Sequence, residues 1–307
     1  HLVRGILKNN HGSISKAITL IENSQSPPEP FFSDIHKNAF NSVRIGITGP
    51  PGAGKSTLTS SLIEFCLADG KEVGVIAVDP TSPFTGGALL GDRVRMNKYA
   101  DDNRVFLRSM GNHCDLGGLS SKVQEIGDVL AASGKDYIFF ETVGVGQGEH
   151  DIINVADISI VVLVPESGDE IQLMKAGLIE IADIFVINKS DREGSNRIAS
   201  TLKNILHIFK KQDRREPSVF NTIANKQEGV LELFNGIELY LRMIDKEGLL
   251  ESRKLERYRK RVFNIIQNSL ETSFWSSGKQ KQLIDLTKNI DGTSIDPHTV
   301  AKQLLQG

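Results

Sequence analysis

Residues 49–57 read Gly49-Pro50-Pro51-Gly52-Ala53-Gly54-Lys55-Ser56-Thr57, directly after the β-branched run 43–48 and directly before the helix-length segment 55–68. A strand, a glycine-rich turn and a helix in that order form a cradle for phosphate groups. Gly49, Gly52 and Gly54 let main-chain N–H groups approach phosphate oxygens, with Ala53 among the contacts, and the start of the helix adds favourable partial charge. Lys55 is expected to neutralise the β- and γ-phosphates and to act in catalysis. Ser56 is expected to place its hydroxyl on Mg²⁺, while Thr57 either joins the nucleotide contacts or caps the helix.

Working outward, short apolar runs recur at 43–48, 73–78, 105–107, 137–140, 158–164, 184–187 and 218–222. Between them lie helix-length segments at 55–68, 120–132, 170–181 and 196–211. Continuous apolar strands alternating with helices predict an α/β fold of the P-loop NTPase type, a mostly parallel central sheet covered by helices on both faces. Residues 42–246 are expected to form this domain. Residues 1–41 are read as an N-terminal helical extension and linker, because 13–23 has helical character and the Pro-containing stretch 24–30 cannot continue it. Residues 247–307 are read as a C-terminal helical extension. Within it Leu255, Tyr258, Val262, Ile265 and Ile266 recur at helical spacing in a segment rich in Lys, Arg and Glu. They predict an amphipathic helix with one buried stripe, packed on the protein's own core or used as a dimerisation arm.

The run 184–187 ends in Asn188-Lys189-Ser190-Asp191, placed at the sheet edge where ligands bind in such folds. The Asp191 carboxylate can accept from both N1–H and the exocyclic amine of guanine, whereas adenine offers no such donor pair. Asn188 is expected to brace the loop and the stem of Lys189 to lie along the base. GTP and GDP are therefore the expected nucleotides.

Three further segments carry candidate chemistry. Asp79 ends the second strand and opens a polar, Gly-rich stretch that reaches Asp92. Asp79 is expected to hold Mg²⁺ directly or through water, and Asp92 either joins it or serves as a helix N-cap or as a partner of Arg95. Glu141 follows the strand 137–140 and is the second expected magnesium-site acid and a catalytic residue. Gly144 leaves room for a γ-phosphate contact, and Gln147 either orients the attacking water or is an ordinary loop residue. The stretch 165–172, with Glu166, Asp169 and Glu170, reads as a nucleotide or partner sensor, or as acids complementing a helix N-terminus.

The 307 residues carry 36 Lys and Arg against 38 Asp and Glu, a net charge of −2 with both signs mixed along the chain. That balance argues against nucleic acid or an anionic membrane as the main partner. Cys66 and Cys114 are the only cysteines, too few for a disulfide framework or a paired-cysteine zinc site. No stretch approaches the roughly 18 uninterrupted apolar residues of a membrane span, and no signal-peptide run is seen. A soluble, cytoplasmic protein is expected. The chain opens on His1 rather than Met, and residues before it are expected.

The motifs together resemble the MeaB/ArgK/MMAA family of GTPases, within the dimeric class of P-loop proteins that includes metal chaperones. The likeness is carried by Asp79 to Ser82, Thr85-Gly86-Gly87, Leu90-Gly91-Asp92-Arg93, Glu141 to Gln147, Gly168-Asp169-Glu170, Lys175-Ala176-Gly177 and Glu180-Ile181-Ala182-Asp183. It is strongest from Gly46 to about Ile187, extends to Ala17–Glu22, and fades beyond about Gly236. The resemblance implies a homodimer that uses GTP to gate adenosylcobalamin loading and protection of methylmalonyl-CoA mutase or a related acyl-CoA mutase. It also admits cobalamin adenosyltransferase as a second partner, and it leaves the cobalamin on the mutase, not on this chain. Gly148, His150 and Ser190 depart from the family pattern without removing a proposed ligand. Two alternatives remain. One is a GTP-dependent protein kinase of the ArgK type. The other is a metal-delivery GTPase, for which His113-Cys114 is the only candidate pair.

Overall fold

The computed structural model describes residues 1–23, 30–79, 97–99, 101–111, 118–142, 154–167, 178–208, 216–288 and 296–306. The predicted apolar runs become strands β1 (Val43–Thr48), β2 (Val73–Asp79), β3 (Val105–Gly111), β4 (Tyr137–Thr142), β5 (Ile158–Leu163), β6 (Ile184–Asn188) and β7 (Ser218–Thr222). They pair in the order β3-β2-β4-β1-β5-β6-β7, every pair parallel. Central β1 therefore lies between β4 and β5, and the chain builds the sheet outward on both sides of it. The ends of β1, β4 and β6 share one edge.

Side chains alternate between the two faces, as the two-residue period of a strand requires. Ile45, Ile47, Val73, Val75, Tyr137 and Phe139 enter one apolar cluster, which is completed by α4 (Lys55–Ala68) and α8 (Val230–Lys246). Ile76, Val78, Ile138 and Phe140 point to the other face. There they meet α5 (Gly118–Ala132) and the N-terminal helices α1 (Leu2–Ile6), α2 (His11–Glu22) and α3 (Phe31–His36). Toward β7 that face is covered by α7 (Ser195–Ile208), whose Leu202 and Leu206 pack with Val161, Leu163 and Phe185. The short α6 (Leu178–Ile181) precedes β6. The N-terminal helices thus share a core with the sheet.

β3 runs four residues past its apolar start because it is an edge strand. Arg108 there reaches out to ion-pair with Glu22 of α2, although its Nε is buried without a hydrogen-bond partner. The N-terminal edge of the sheet is stitched by buried charge. Asp183 accepts from Ser159 N at 2.9 Å, Tyr240 OH at 2.7 Å, and Arg253 Nη2 and Nη1 at 2.9 and 3.1 Å. Arg253 Nη1 also donates to Asp157 O at 2.7 Å. Burial works against the Arg253 charge, but the Asp183 carboxylate more than compensates and holds the guanidinium pKa above its usual value. Burial, followed by the same carboxylate, pushes the Tyr240 phenol up to about 12. Asp183→Ala would leave Arg253 without its counter-charge, and a loss of about 3 kcal/mol is expected, read as a lowered urea midpoint at unchanged slope.

Two compact units are distinguished, His1–Lys254 and Leu255–Gly307. The second contains most of α9 (Leu249–Phe274), with α10 (Ser277–Thr287) and α11 (Pro297–Gln306). Within it Ser276 caps α10, Lys279 lies over the Phe274 ring at 5.4 Å, and its ammonium donates to Leu304 O. Within one chain the apolar stripe is not packed on the protein's own core, one of its two expected uses. Leu255, Tyr258, Val262, Ile265 and Ile266 are 39–54% exposed, and α9 has no buried residue. Helical spacing reveals that a face is apolar but not what covers it. No helix among the described residues is long and apolar enough to cross a membrane.

Candidate functional site

The phosphate loop leaves β1 through a backbone that only glycine tolerates. Gly49 has φ 138°, and a Cβ on it would lie 2.0 Å from Val162 O of the neighbouring chain segment. Gly54 has φ 86° at the start of α4, where a Cβ would meet Asn188 Nδ2 at 2.3 Å. The buried Lys55 turns back across it and donates to Gly49 O at 2.8 Å and Pro50 O at 3.0 Å. These are bonds that an ammonium can exchange for phosphate oxygens at the same place. Ala53 is buried and Thr57 sits in the first turn of α4.

Glu141 comes from β4, where it pairs in register with Ile47 of β1. That register places its carboxylate against the helix that follows the loop. Ser56 Oγ donates to Glu141 Oε1, and Thr59 Oγ1 lies 3.4 Å from Oε2. One residue on, the hydroxyls of Thr142 and Thr48 meet at 3.1 Å and join the end of β4 to the root of the loop. A hydroxyl and a carboxylate side by side are hard oxygen donors. They suit Mg²⁺, which takes one or two protein ligands and completes its shell with phosphate and water. Among the described residues no three His, Cys, Asp or Glu come together as a self-sufficient metal cage.

Asn188 ends β6 and uses both ends of its amide. Nδ2 donates to Ala53 O at 2.8 Å, while Oδ1 accepts from Thr222 Oγ1 and Ala224 N, each at 3.1 Å. Lys189, in a left-handed conformation at φ 55°, donates to Gly52 O at 2.7 Å. Ser190 N donates to Thr222 O at 3.1 Å, and Ser61 Oγ of α4 to Ala224 O at 3.0 Å. The phosphate loop, the 188–191 loop and the end of β7 are thus one hydrogen-bonded body. Asp191 stands at its surface, 43% exposed, with Lys226 Nζ at 3.6 Å from its Oδ2.

Of the residues expected from sequence, Gly49, Gly52, Ala53, Gly54, Lys55, Ser56, Thr57, Glu141, Asn188, Lys189 and Asp191 gather at the C-terminal edge of the sheet. Asp79 ends β2 at the same edge, paired with Gly111, but its side chain lies outside the described residues. So do Asp92, Gly144, Gln147, Asp169, Glu170 and His113-Cys114. Glu166 ion-pairs with Arg192, just beyond the 188–191 loop, and that guanidinium draws its pKa below the usual carboxylate range. Thr59, Thr222, Ala224 and Lys226 were not anticipated. Thr222 ends β7 and Ala224 follows it, but nothing in their types distinguishes them until β7 is seen beside β6.

Glu141→Gln keeps the shape and removes the charge. The magnesium concentration for half-maximal GTP turnover is expected to rise about tenfold or more, while GDP affinity measured in EDTA stays unchanged.

The family model for the methylmalonyl-CoA mutase-associated GTPase MeaB matches residues 14–279. A Pyrococcus abyssi protein that bears a provisional GTPase name is 39% identical over 308 residues, covering 99% of this chain and 95% of that one. GTPase ArgK of Escherichia coli is 32% identical over 315 residues, covering 98% and 94%. Among solved structures, the LAO/AO transport system kinase aligns over 99% of this chain and 95% of its own with a TM-score of 0.75; at 24% identity this likeness shows the shared fold.

Proposed function

The chain belongs to the MeaB family of methylmalonyl-CoA mutase-associated GTPases, and from that premise we propose that it binds GTP with Mg²⁺, hydrolyses it to GDP and phosphate, and uses this cycle to gate adenosylcobalamin loading and protection of methylmalonyl-CoA mutase or a related acyl-CoA mutase. The observation that carries the nucleotide part is the single body in which Asn188 and Lys189 bond the carbonyls of Ala53 and Gly52. Base reader and phosphate cradle are held at a fixed spacing, as a ligand with a base at one end and phosphates at the other requires.

Lys55 exchanges its loop carbonyls for β- and γ-phosphate oxygens. Glu141 holds the Ser56 hydroxyl in place, and both serve the magnesium shell, with Asp79 and Asp92 as its further acids. When bound, magnesium neutralises charge on the phosphates. Gly144, having no side chain, is assigned a main-chain contact with the γ-phosphate, and Gln147 is assigned to orient the attacking water. Asp191 selects guanine. Rate depends on how well these groups are positioned, since phosphoryl transfer asks little covalent chemistry of the protein.

The mutase part is supported by the family description. The protein is read as a cytoplasmic homodimer whose arm is the segment 247–307, supported by the exposed stripe on α9. The cobalamin stays with the mutase or with an adenosyltransferase that supplies it. The deciding experiment mixes the protein with apo-mutase and adenosylcobalamin and follows cofactor loading by its absorption spectrum. Loading should differ between GTP and a non-hydrolysable analogue. Identical loading with either nucleotide, and without this protein, would refute the gating role.

A further inference from the structure

Beside the base-reading carboxylate stands a cation that the guanine site described so far does not use. Lys226 closes the 3₁₀ turn Ala224–Lys226, and its Nζ is 3.6 Å from Asp191 Oδ2. The turn is held firmly. Ala224 N donates to Asn188 Oδ1 at 3.1 Å, Lys226 N donates to Ile223 O at 2.9 Å, and Gln227 follows at φ 59°. The side chains of Lys226 and Asp191 are 53% and 43% exposed. An ion pair so exposed adds little to stability, and it holds the ammonium beside the carboxylate that reads the base.

We propose that Lys226 is a specificity-determining residue that donates to O6 of the guanine ring, a role that rests on the reading of Asp191 as the guanine acceptor. On guanine, O6 and N1–H are neighbours on one edge. A carboxylate accepting from N1–H, with an ammonium beside it, presents acceptor and donor to the matching donor and acceptor. Adenine carries the reverse pair, an unprotonated N1 and a 6-amine. It would set acceptor against acceptor at Asp191 and donor against donor at Lys226. Two mismatches side by side reject the wrong base more strongly than one.

The test measures equilibrium affinities of the full chain and of Lys226→Met and Lys226→Arg for GDP, IDP and 6-thioguanosine diphosphate. IDP lacks the 2-amine but keeps O6, while the thio analogue keeps both donors and weakens the acceptor at position 6. Lys226→Met should bind GDP about tenfold more weakly, the effect of losing one hydrogen bond to a charged group. Its preference for GDP over the thio analogue should shrink, and its GDP-to-IDP ratio should stay as in the parent. Lys226→Arg should recover most of the GDP affinity. Unchanged or tighter GDP binding by Lys226→Met, with position-6 discrimination intact, would overturn the proposal. Asp191→Asn, measured in parallel for GDP and XDP, separates the two ways of failing. If it turns preference toward xanthine while Lys226→Met is silent, the role of Lys226 alone falls; if guanine preference survives in it, the base reading falls and this proposal with it.

Discussion

Replacing Lys55 with Ala is expected to lower GTP affinity about 10²-fold or more, the size of effect seen when one aimed donor is taken from a dry site. Lys55 is buried, and its ammonium is already held over the loop by Gly49 O and Pro50 O. Those carbonyls are weak partners for a full charge compared with phosphate oxygens. The loss should be larger for GTP than for GDP, because the γ-phosphate brings the additional charge. Lys55→Met keeps the buried stem and should behave like Lys55→Ala in binding while melting closer to the parent. Competition against a fluorescent guanine nucleotide reads both effects, and normal GTP affinity in either variant would remove Lys55 from the phosphate site.

Asp191→Asn should invert the choice of base. A carboxylate can accept two hydrogen bonds from guanine; an amide accepts from N1–H but turns its own N–H₂ toward the guanine amine, where no acceptor waits. Xanthine carries an oxygen at that position and restores the pair. Sites built on paired hydrogen bonds lose on the order of 10⁴-fold when one member is absent, so GTP should give way to XTP as the tighter ligand. The side chain lies at the surface and its ion pair with Lys226 is exposed, so the variant should fold normally. Retention of the GTP preference in competition binding would show that Asp191 does not read the base.

Much of this was legible before the structure because the decisive signals are local. Gly49 to Ser56 and Asn188 to Asp191 are contiguous, and each follows an apolar run whose β-branched residues announce a strand. Glu141 likewise lies near the end of an apolar run, in β4. What remained hidden depends on partners far apart in sequence. Thr222 and Ala224 enter the site only because β7 pairs with β6 in the register Asn188↔Thr222. The bond between Ser56 and Glu141 needs β4 to lie beside β1, across an order that no local pattern encodes. The N-terminal extension is helical as expected, and what its local pattern does not tell is that Ile14, Ile18 and Ile21 are buried with Ile126 and Val129 of α5. For α9 the apolar spacing marks a stripe but not its cover: within one chain the stripe is exposed, which sets aside packing on the chain's own core and leaves the dimerisation arm as the other expectation.

Phosphate release from GTP and from ATP by the purified protein, with magnesium and with EDTA, tests the central claim most directly. Magnesium-dependent release from GTP, at a kcat/KM at least about 10³-fold above that for ATP, is the predicted result. Equal turnover of the two nucleotides, or release that persists in EDTA, would contradict it.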